Sequence, residues 1–182
     1  MSLAVIHMPE SAIIVLTPEA EPLVGRFRER FDPSAKMGLS AHITVLYPFV
    51  QPDHITEAVT TEVREFAERR SGFTYRLNST GRFADTLYLA PHPAKPFVDL
   101  VKGLVEHFPA HLPYRGRFNS IVPHLTVAHG DGLPLDELER ELCGHALLHV
   151  GINASCEMLV LIENTSGLWR VREQFALSGR VR

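Results

Sequence analysis

The residues best suited to chemistry in this chain are two histidine–threonine pairs, His42/Thr44 and His124/Thr126. Each pair forms a His-x-Thr sequence inside an apolar run, AHITV in the first copy and PHLTV in the second. Residues i and i+2 of a strand point to the same face, so the members of each pair would project together. An imidazole can accept or donate a proton near neutral pH, and a hydroxyl can donate to phosphate oxygens. The pattern predicts acid–base chemistry on a phosphate ester.

A third His-x-Thr sequence, His54-Ile55-Thr56, is typical of a helix start. Pro52 and Asp53 precede it and a helical apolar stripe follows, so Thr56 or Asp53 is predicted to be an N-cap. The chain has ten histidines, and one His-x-Thr is about what chance would supply. Position in the chain therefore distinguishes the other two copies.

The elements that would carry the two pairs occur twice in the same order. Apolar strands predicted at 11–17 and 86–90 each stop at a proline and are followed by an amphipathic helix. After a loop comes the motif strand, at 41–47 in the first copy and 121–128 in the second. Because no Gly/Ser tract separates the copies, we predict a single domain, residues 1–182, made of two pseudo-repeated lobes.

The rest of the chain has weaker patterns. Trp169 is predicted to share one strand face with Val171, Phe175 and Leu177, by their alternation. The other elements follow from apolar periodicity: helices over 55–67 and 135–142, and strands at 73–77 and near 146–152, 156–162 and 169–177.

Composition and charge exclude several classes of protein. The formal net charge of −3 argues against gripping a long duplex, which needs clustered Lys and Arg. Only two cysteines occur, Cys143 and Cys156, which favours a reducing, cytoplasmic setting without disulfides or structural zinc. No apolar run is long enough to span a bilayer, so no membrane association is expected. A small anionic ligand or an RNA end needs only one local positive pocket, so the net charge does not exclude either of them.

The paired motifs resemble the 2H phosphoesterase superfamily, whose members carry two H-φ-[T/S]-φ motifs. That superfamily includes 2′–5′ RNA ligase-like proteins and cyclic nucleotide phosphodiesterases, and the resemblance covers nearly the whole chain. It implies an α+β, bilobal, pseudo-twofold fold with two antiparallel sheets, helices packed outside and a central cleft. It also implies a catalytic site at His42, Thr44, His124 and Thr126 without a metal or another cofactor.

The chain departs from these relatives after the second motif. Many of them place an arginine there, whereas this chain has Ala128-His129-Gly130. Strand parity places His129 off the face that carries His124, so it is left out of the predicted site. Arg117 or Arg115, in the loop before the second motif, could supply a cation instead.

Aromatic side chains near the motifs are candidates for stacking on an unpaired base. Tyr47, which opens a Tyr-Pro-Phe extension typical of a bacterial subset of these proteins, and Phe83 are the candidates we select, with Arg117 as the phosphate contact. Phe49, Tyr88 and Trp169 are weaker candidates, because aromatic residues more often pack in cores.

The expected function is therefore a metal-independent phosphodiesterase that opens a 2′,3′-cyclic or similar cyclic phosphate of a nucleotide or RNA end. The reverse reaction would form a 2′–5′ linkage, and the sequence leaves open which histidine is the acid. The expected partner is a small nucleotide or RNA terminus, and the expected state is a monomer.

The same residues suggest three alternative functions. A metal site on His42 and His124 lacks a matched third ligand in either motif strand. The histidine-triad family needs alternating histidines in one strand, which are not found here. A non-catalytic RNA- or nucleotide-binding module using the same cleft stays open.

Overall fold

A computed structural model describes residues 8–117 and 120–178. Its strands form two four-stranded antiparallel sheets, which confirms the expected α+β, bilobal fold. The first sheet has the order β2-β1-β7-β8, with β1 Ser11–Leu16, β2 His42–Leu46, β7 Met158–Glu163 and β8 Arg170–Ala176. The second has the order β5-β4-β3-β6, with β3 Phe73–Phe83, β4 Thr86–His92, β5 Leu125–His129 and β6 Ile152–Cys156.

The helices begin where the sequence offers a proline or a capping side chain. Proline lies at the first turn of α1 and α4, where its missing N–H costs nothing. Thr56 caps α3 by accepting a hydrogen bond from the Val59 N–H, which confirms the predicted helix start at the third His-x-Thr. The helices of the described chain are α1 Glu21–Phe31, α2 Pro33–Lys36, α3 Glu57–Glu68, α4 Lys95–His107, α5 Leu135–Cys143 and α6 Ala146–Val150.

The motif strands β2 and β5 are edge strands of their sheets and contact each other across the pseudo-twofold. The helices exchange partners between lobes, because α1 of the first lobe packs against β5 and α4 of the second packs against β2. Their apolar faces join the inner faces of both sheets in one large core cluster. This shared core fixes the two motif strands relative to each other.

Each motif strand contains a β-bulge directly after its His-x-Thr sequence. In β2, Thr44 pairs with Ile14 but Leu46 pairs with Ile13, so Val45 is the extra residue. In β5, Thr126 pairs with Tyr88 but Ala128 pairs with Leu87, which leaves Val127 extra. Both residues after the threonine are consequently buried in each strand. A bulge inserts one residue, so it reverses the inward–outward alternation beyond it.

Two sequence-based predictions about elements outside the motif strands were wrong. The segment near 146–152 begins as helix α6, because His145 caps it by accepting from the Leu147 N–H at 3.3 Å, and Gly151 at φ 80° ends it. The predicted face sharing of Trp169 with Phe175 fails because a third bulge, in β8, separates them. Trp169 packs beside Ile162 on the cleft face of the sheet, whereas Phe175 lies in the main core.

Within the described ranges, no helix combines the length and the apolar character required to cross a bilayer.

Candidate active site

The two motif strands, β2 and β5, border one cleft of about 1660 Å³ between the lobes. All four motif residues line this cleft. The side chains selected as substrate contacts, Tyr47, Phe83 and Arg117, line it as well. The structure thus brings together every residue of the predicted site, whereas His54 lies at the start of α3, outside the cleft lining.

Two equivalent hydrogen bonds hold the two motif histidines. Nδ1 of His42 lies 2.8 Å from the Ser40 carbonyl oxygen, and Nδ1 of His124 lies 2.7 Å from the Val122 carbonyl oxygen. A carbonyl oxygen can only accept, so Nδ1 must carry the hydrogen in both rings. The neutral rings therefore keep their lone pair on Nε2, the nitrogen that is available to a ligand.

Burial lowers the pKa of both rings. The pKa of His42 falls to about 4, mainly through desolvation, with further lowering by the positive charges of Arg28 and His124. Desolvation is also the main cause that lowers the pKa of His124, and the charge of His129 adds to it. Both free rings are consequently neutral at pH 7 and can accept a proton at Nε2. Because the charge of His124 is one of the causes that lower the pKa of His42, a proton on one ring disfavours a proton on the other.

A buried ion pair supports the loop that orients His42. The Arg28 guanidinium is almost fully buried, and its Nε donates to Oδ2 of Asp32 at 3.0 Å. A second guanidinium nitrogen donates to the Leu39 carbonyl oxygen at 3.0 Å. Leu39 directly precedes Ser40, whose carbonyl accepts from the His42 ring. The ion pair thus holds the acceptor that selects the tautomer of His42.

Tyr114, which the sequence analysis did not identify, shares a hydrogen bond with the Thr44 side chain. Burial raises the pKa of Tyr114, so its hydroxyl stays protonated. Its backbone has φ 50° and ψ 34°, and Arg115 follows at φ 57°. Non-glycine residues rarely adopt this left-handed region, and such strain concentrates at functional sites. No periodic pattern in the sequence indicates Tyr114, because it lies in a loop that crosses from the second lobe to the first. The backbone N–H of Tyr114 donates to the Tyr47 carbonyl oxygen at 2.6 Å.

Two aromatic rings pack around His124 in the second lobe. The Phe83 ring centroid is 5.1 Å from that of His124 in an edge-on arrangement, and the Tyr88 ring lies at 5.3 Å. Tyr88 covers Gly81 on the neighbouring strand so closely that a Cβ there would lie 2.4 Å from the ring. The glycine thereby permits the ring position that supports His124. Phe83 is 39% exposed and can also contact a ligand.

The first lobe presents an apolar and aromatic floor to the cleft. The Tyr47 and Trp169 rings contact each other edge-on, with 6.4 Å between their centroids. Both rings pack against a small apolar cluster on this face of the sheet. The Tyr47 hydroxyl donates to Oε2 of Glu10 at 2.5 Å, and Arg115 forms an ion pair with the same carboxylate at 3.3 Å. Arg115, one of the two cations considered from the sequence, is thus engaged by Glu10. The floor is formed by the members of this cluster that line the cleft, Ala12, Ile14, Leu39, Tyr47, Ile162 and Trp169, and the same cluster also contains Val160 and Leu16.

His129 lies on the cleft face, and its exclusion by strand parity was wrong. The bulge at Val127 reverses the alternation, so His129 lines the same cleft as Thr126. Its Nδ1 lies 2.9 Å from the Thr86 hydroxyl and 3.8 Å from a carboxylate oxygen of Asp85. Strand alternation read from one strand cannot reveal a bulge, which depends on the partner strand.

The described side chains of the cleft do not form a metal site. Among residues 8–117 and 120–178, no group of three or more His, Cys, Asp or Glu side chains is placed to hold a metal ion. What the cleft does combine is two imidazoles with available Nε2 atoms and two threonine hydroxyls. Such a set can remove a proton from one oxygen and supply one to another across a single phosphate.

Comparisons with known proteins agree on one family. A family model described as the 2′-5′ RNA ligase superfamily matches residues 16–167. A Bacillus pumilus protein named "Putative phosphoesterase" is 27% identical over an alignment of 177 positions that covers 90% of this chain and 95% of that protein.

Solved structures share the fold. TT0787 of Thermus thermophilus has a TM-score of 0.59 at 18% identity, covering 93% of this chain and 98% of that one. E. coli LigT, solved in complex with 3′-AMP, has a TM-score of 0.54 at 15% identity, covering 94% of this chain and 99% of that one. LigT has also been solved with NADP+ and with ATP.

Proposed function

The chain belongs to the 2′-5′ RNA ligase superfamily, whose activities are phosphoesterase or RNA ligase-like, and from this we propose a specific reaction. We propose that the protein opens a 2′,3′-cyclic or similar cyclic phosphate of a nucleotide or RNA end, without a metal. The observation that carries the proposal is the matched pair of imidazoles on one cleft, each with Nδ1 bound to a carbonyl and Nε2 left for the substrate.

In the proposed reaction, Nε2 of one ring removes a proton from water as the water oxygen attacks phosphorus. The bond to one ribose oxygen breaks, and that oxygen takes a proton from Nε2 of the other ring. We assign the base to His42, because its pKa of about 4 disfavours holding a proton in the free protein. His124 would then be the acid. An anionic phosphate between the rings raises the pKa of both, so substrate binding itself helps to load the acid.

The threonine hydroxyls have a different proposed role, which is to donate to the non-bridging oxygens as charge builds on phosphorus. Thr44 and Thr126 are both half-buried on the cleft face. The Tyr114 hydroxyl beside Thr44 adds a third oxygen to this set and fixes the rotamer of Thr44. In the reverse direction the same groups would form a 2′–5′ linkage from a cyclic phosphate and a hydroxyl.

The proposed substrate is a small nucleotide or an RNA terminus, in which Tyr47 and Phe83 contact the organic part and Arg117 the phosphate. The apolar floor of the first lobe offers a surface for a base, and LigT, which shares the fold, was solved with three small nucleotides. The net charge of −3 disfavours a long duplex as partner. We further propose that the chain is one domain and acts as a monomer, since both motif strands come from one chain. The proposed location is the cytoplasm, where Cys143 and Cys156 stay reduced.

The proposal is tested by assaying the purified protein in EDTA against 2′,3′-cyclic nucleotides, cyclic-phosphate RNA ends and 2′–5′ dinucleotides. Turnover of a cyclic phosphate in chelator is the expected result. Turnover that is lost in EDTA and restored by one metal would contradict the metal-free mechanism. Tight binding of the same ligands with no turnover would instead support the non-catalytic binding module.

The pH dependence gives a second test. Because the pKa of both rings lies below the ordinary value of about 6.5, kcat/KM should be bell-shaped with its optimum on the acid side of that value. The acid limb should lie near the His42 pKa of about 4, where the base becomes protonated. The kcat profile should shift to higher pH, because the bound phosphate raises both pKa values. A kcat/KM profile rising to an alkaline optimum would rule out this pair as acid and base.

A further inference from the structure

The third histidine of the cleft, His129, belongs to neither motif. We propose that His129, in its imidazolium form, binds an oxygen of the substrate phosphate and makes anion binding by the cleft dependent on pH. This inference rests on the proposed function for its choice of substrate. It adds a binding residue with a role separate from proton transfer.

The position of His129 follows from the bulge in β5. Val127 is the extra residue, and both Val127 and Ala128 are buried. His129 therefore returns to the face that carries Thr126, and it lines the cleft with about half of its side chain exposed, 49%. A ligand in the cleft can reach this ring without displacing any core side chain.

The hydrogen bonds of His129 select its tautomer. The Thr86 hydroxyl donates its single proton to Oδ1 of Asp85 at 2.9 Å, because an ionised carboxylate only accepts. The Thr86 oxygen must then accept from the His129 Nδ1–H at 2.9 Å. Nε2 is thereby left for a ligand, and a second proton can bind only there. The Asp85 carboxylate, 3.8 Å from Nδ1, stabilises the resulting positive charge.

The charged groups around His129 favour this role. Asp85 lies in the turn between β3 and β4, His124 lies on the same edge of the sheet, and Asp131 lines the cleft just beyond β5. The charge of His129 reaches the motif, since it lowers the pKa of His124. Helix α1 also packs against β5, but its buried Arg28 is paired with Asp32.

Other cations of the cleft are less suited to this role. A guanidinium does not deprotonate in proteins, so Arg117, which is proposed above to contact the phosphate, cannot make anion binding depend on pH. Arg115 is paired with Glu10, whose carboxylate also accepts from Tyr47. The two motif rings have a lowered pKa and are neutral at pH 7. His129 is a half-exposed ring beside the motif with Nε2 open to the cleft, so its imidazolium form can balance the charge of a bound phosphate.

The experiment measures binding of inorganic sulfate by calorimetry at several pH values between about 5.5 and 8.5, around the ordinary range of imidazole titration. Sulfate keeps a constant charge over this range, so any pH dependence comes from the protein. Wild-type binding should weaken roughly ten-fold as the pH rises, as expected for loss of a charge-assisted hydrogen bond. H129R should bind sulfate with much less pH dependence, and H129Q weakly at every pH.

Two further variants complete the test. D85N removes the carboxylate that favours the imidazolium, so the pH at which binding weakens should move down. H54A, at a surface helix start, should behave like the wild type. An undiminished pH dependence in H129R, or wild-type affinity in H129Q at acid pH, would overturn the inference and assign the effect to the motif pair. Circular dichroism confirms that each variant is folded.

The outcome is separable from that of the proposed function. If no cyclic phosphate is turned over but sulfate binding follows the expected pattern, the proposed reaction fails and the role of His129 in anion binding stands. If turnover occurs and H129Q changes neither KM nor sulfate affinity, His129 is not a binding residue and the proposed reaction stands. With substrate, H129Q should raise KM much more than it lowers kcat, because a phosphate contact present in the ground state is lost.

Discussion

The two lobes share the same backbone arrangement on their motif strands, but different side chains surround it. In each lobe, a histidine donates through Nδ1 to the carbonyl oxygen two residues earlier. In each lobe, a valine bulge follows the threonine, and the fifth residue after the histidine returns to the cleft face. An acidic residue just before the strand that pairs with the motif strand, Glu10 before β1 and Asp85 before β4, then accepts a hydrogen bond, directly or through a hydroxyl.

The difference lies at that fifth position. In the first lobe it is Tyr47, whose hydroxyl donates to Glu10. In the second lobe it is His129, linked through Thr86 to Asp85. Burial and the Glu10 carboxylate raise the pKa of Tyr47, so the first lobe keeps a neutral aromatic side chain there. The second lobe has a ring that can carry a positive charge.

This difference suggests how the cleft divides a substrate. The first lobe, with its apolar floor and Trp169, suits the organic part of a nucleotide. The second lobe, with His129, suits the charge of the phosphate. In the proposed reaction, the shared backbone arrangement would supply the symmetric acid–base pair, and the different side chains around it would set the orientation of the substrate.

The largest expected effect comes from removing a motif histidine, and it tests whether the two lobes contribute equally to catalysis. His42→Ala or His124→Ala should each lower kcat by roughly 10²–10⁴-fold, the range of positioned proton transfer. The double variant should lose much less than the product of the single losses, because the rings act as a unit. Steady-state kinetics on a cyclic phosphate measures both. His54→Ala is the matched control and should change turnover little, since His54 lies outside the pseudo-repeat. A loss in His54→Ala equal to that in His42→Ala would show that the wrong copies were selected.

The threonines should show the next largest effect. Thr44→Val and Thr126→Val each remove a hydroxyl at nearly constant volume, and each should cost about 3 kcal/mol of transition-state stabilisation, or roughly 100-fold in kcat. Thr→Ser at either position should retain most activity, because the donor survives. Equal activity for the Ser and Val variants would contradict a donor role.

Tyr114 breaks the symmetry of the threonines, because its hydroxyl bonds to Thr44. Tyr114→Phe should lower kcat by about ten-fold, the effect of one hydrogen bond near developing charge. In double-mutant cycles, Tyr114→Phe should be strongly non-additive with Thr44→Val and nearly additive with Thr126→Val. Equal coupling to both threonines would show that Tyr114 acts through the general shape of the cleft.

A smaller effect should come from Gly81, beneath the ring of Tyr88. A Cβ at position 81 would meet this ring at 2.4 Å, so Gly81→Ala should displace Tyr88 and loosen its contact with His124. We expect a loss of about three- to ten-fold in kcat, corresponding to roughly 1 kcal/mol.

Two controls accompany the Gly81 variant. Gly144→Ala meets only ordinary contacts beyond 3.4 Å and should be nearly neutral. In a Tyr88→Ala background, Gly81→Ala should cost little further activity, because the clashing ring is gone. An undiminished loss in that background would place the effect in the strand backbone instead.

Local signals in the sequence were sufficient for the motifs and for most of the elements. Apolar runs followed by a proline located β1, β2 and β4, and proline with a 3.6-residue stripe located α1 and α4. These features depend on residues adjacent along the chain, and a local pattern can therefore predict them. The same patterns, repeated in order, separated His42 and His124 from the third His-x-Thr at His54.

Other features of the cleft depend on pairing between distant segments. The bulges at Val45 and Val127 exist only in relation to β1 and β4, so alternation along one strand misplaced His129, as it misplaced Trp169. Tyr114 reaches Thr44 across 70 residues of sequence, through a loop with no periodic pattern. The sequence by itself determined which residues could exchange protons. The tertiary structure decided which side chains surround them, because strand register and loop position are set by contacts between lobes that no single segment encodes.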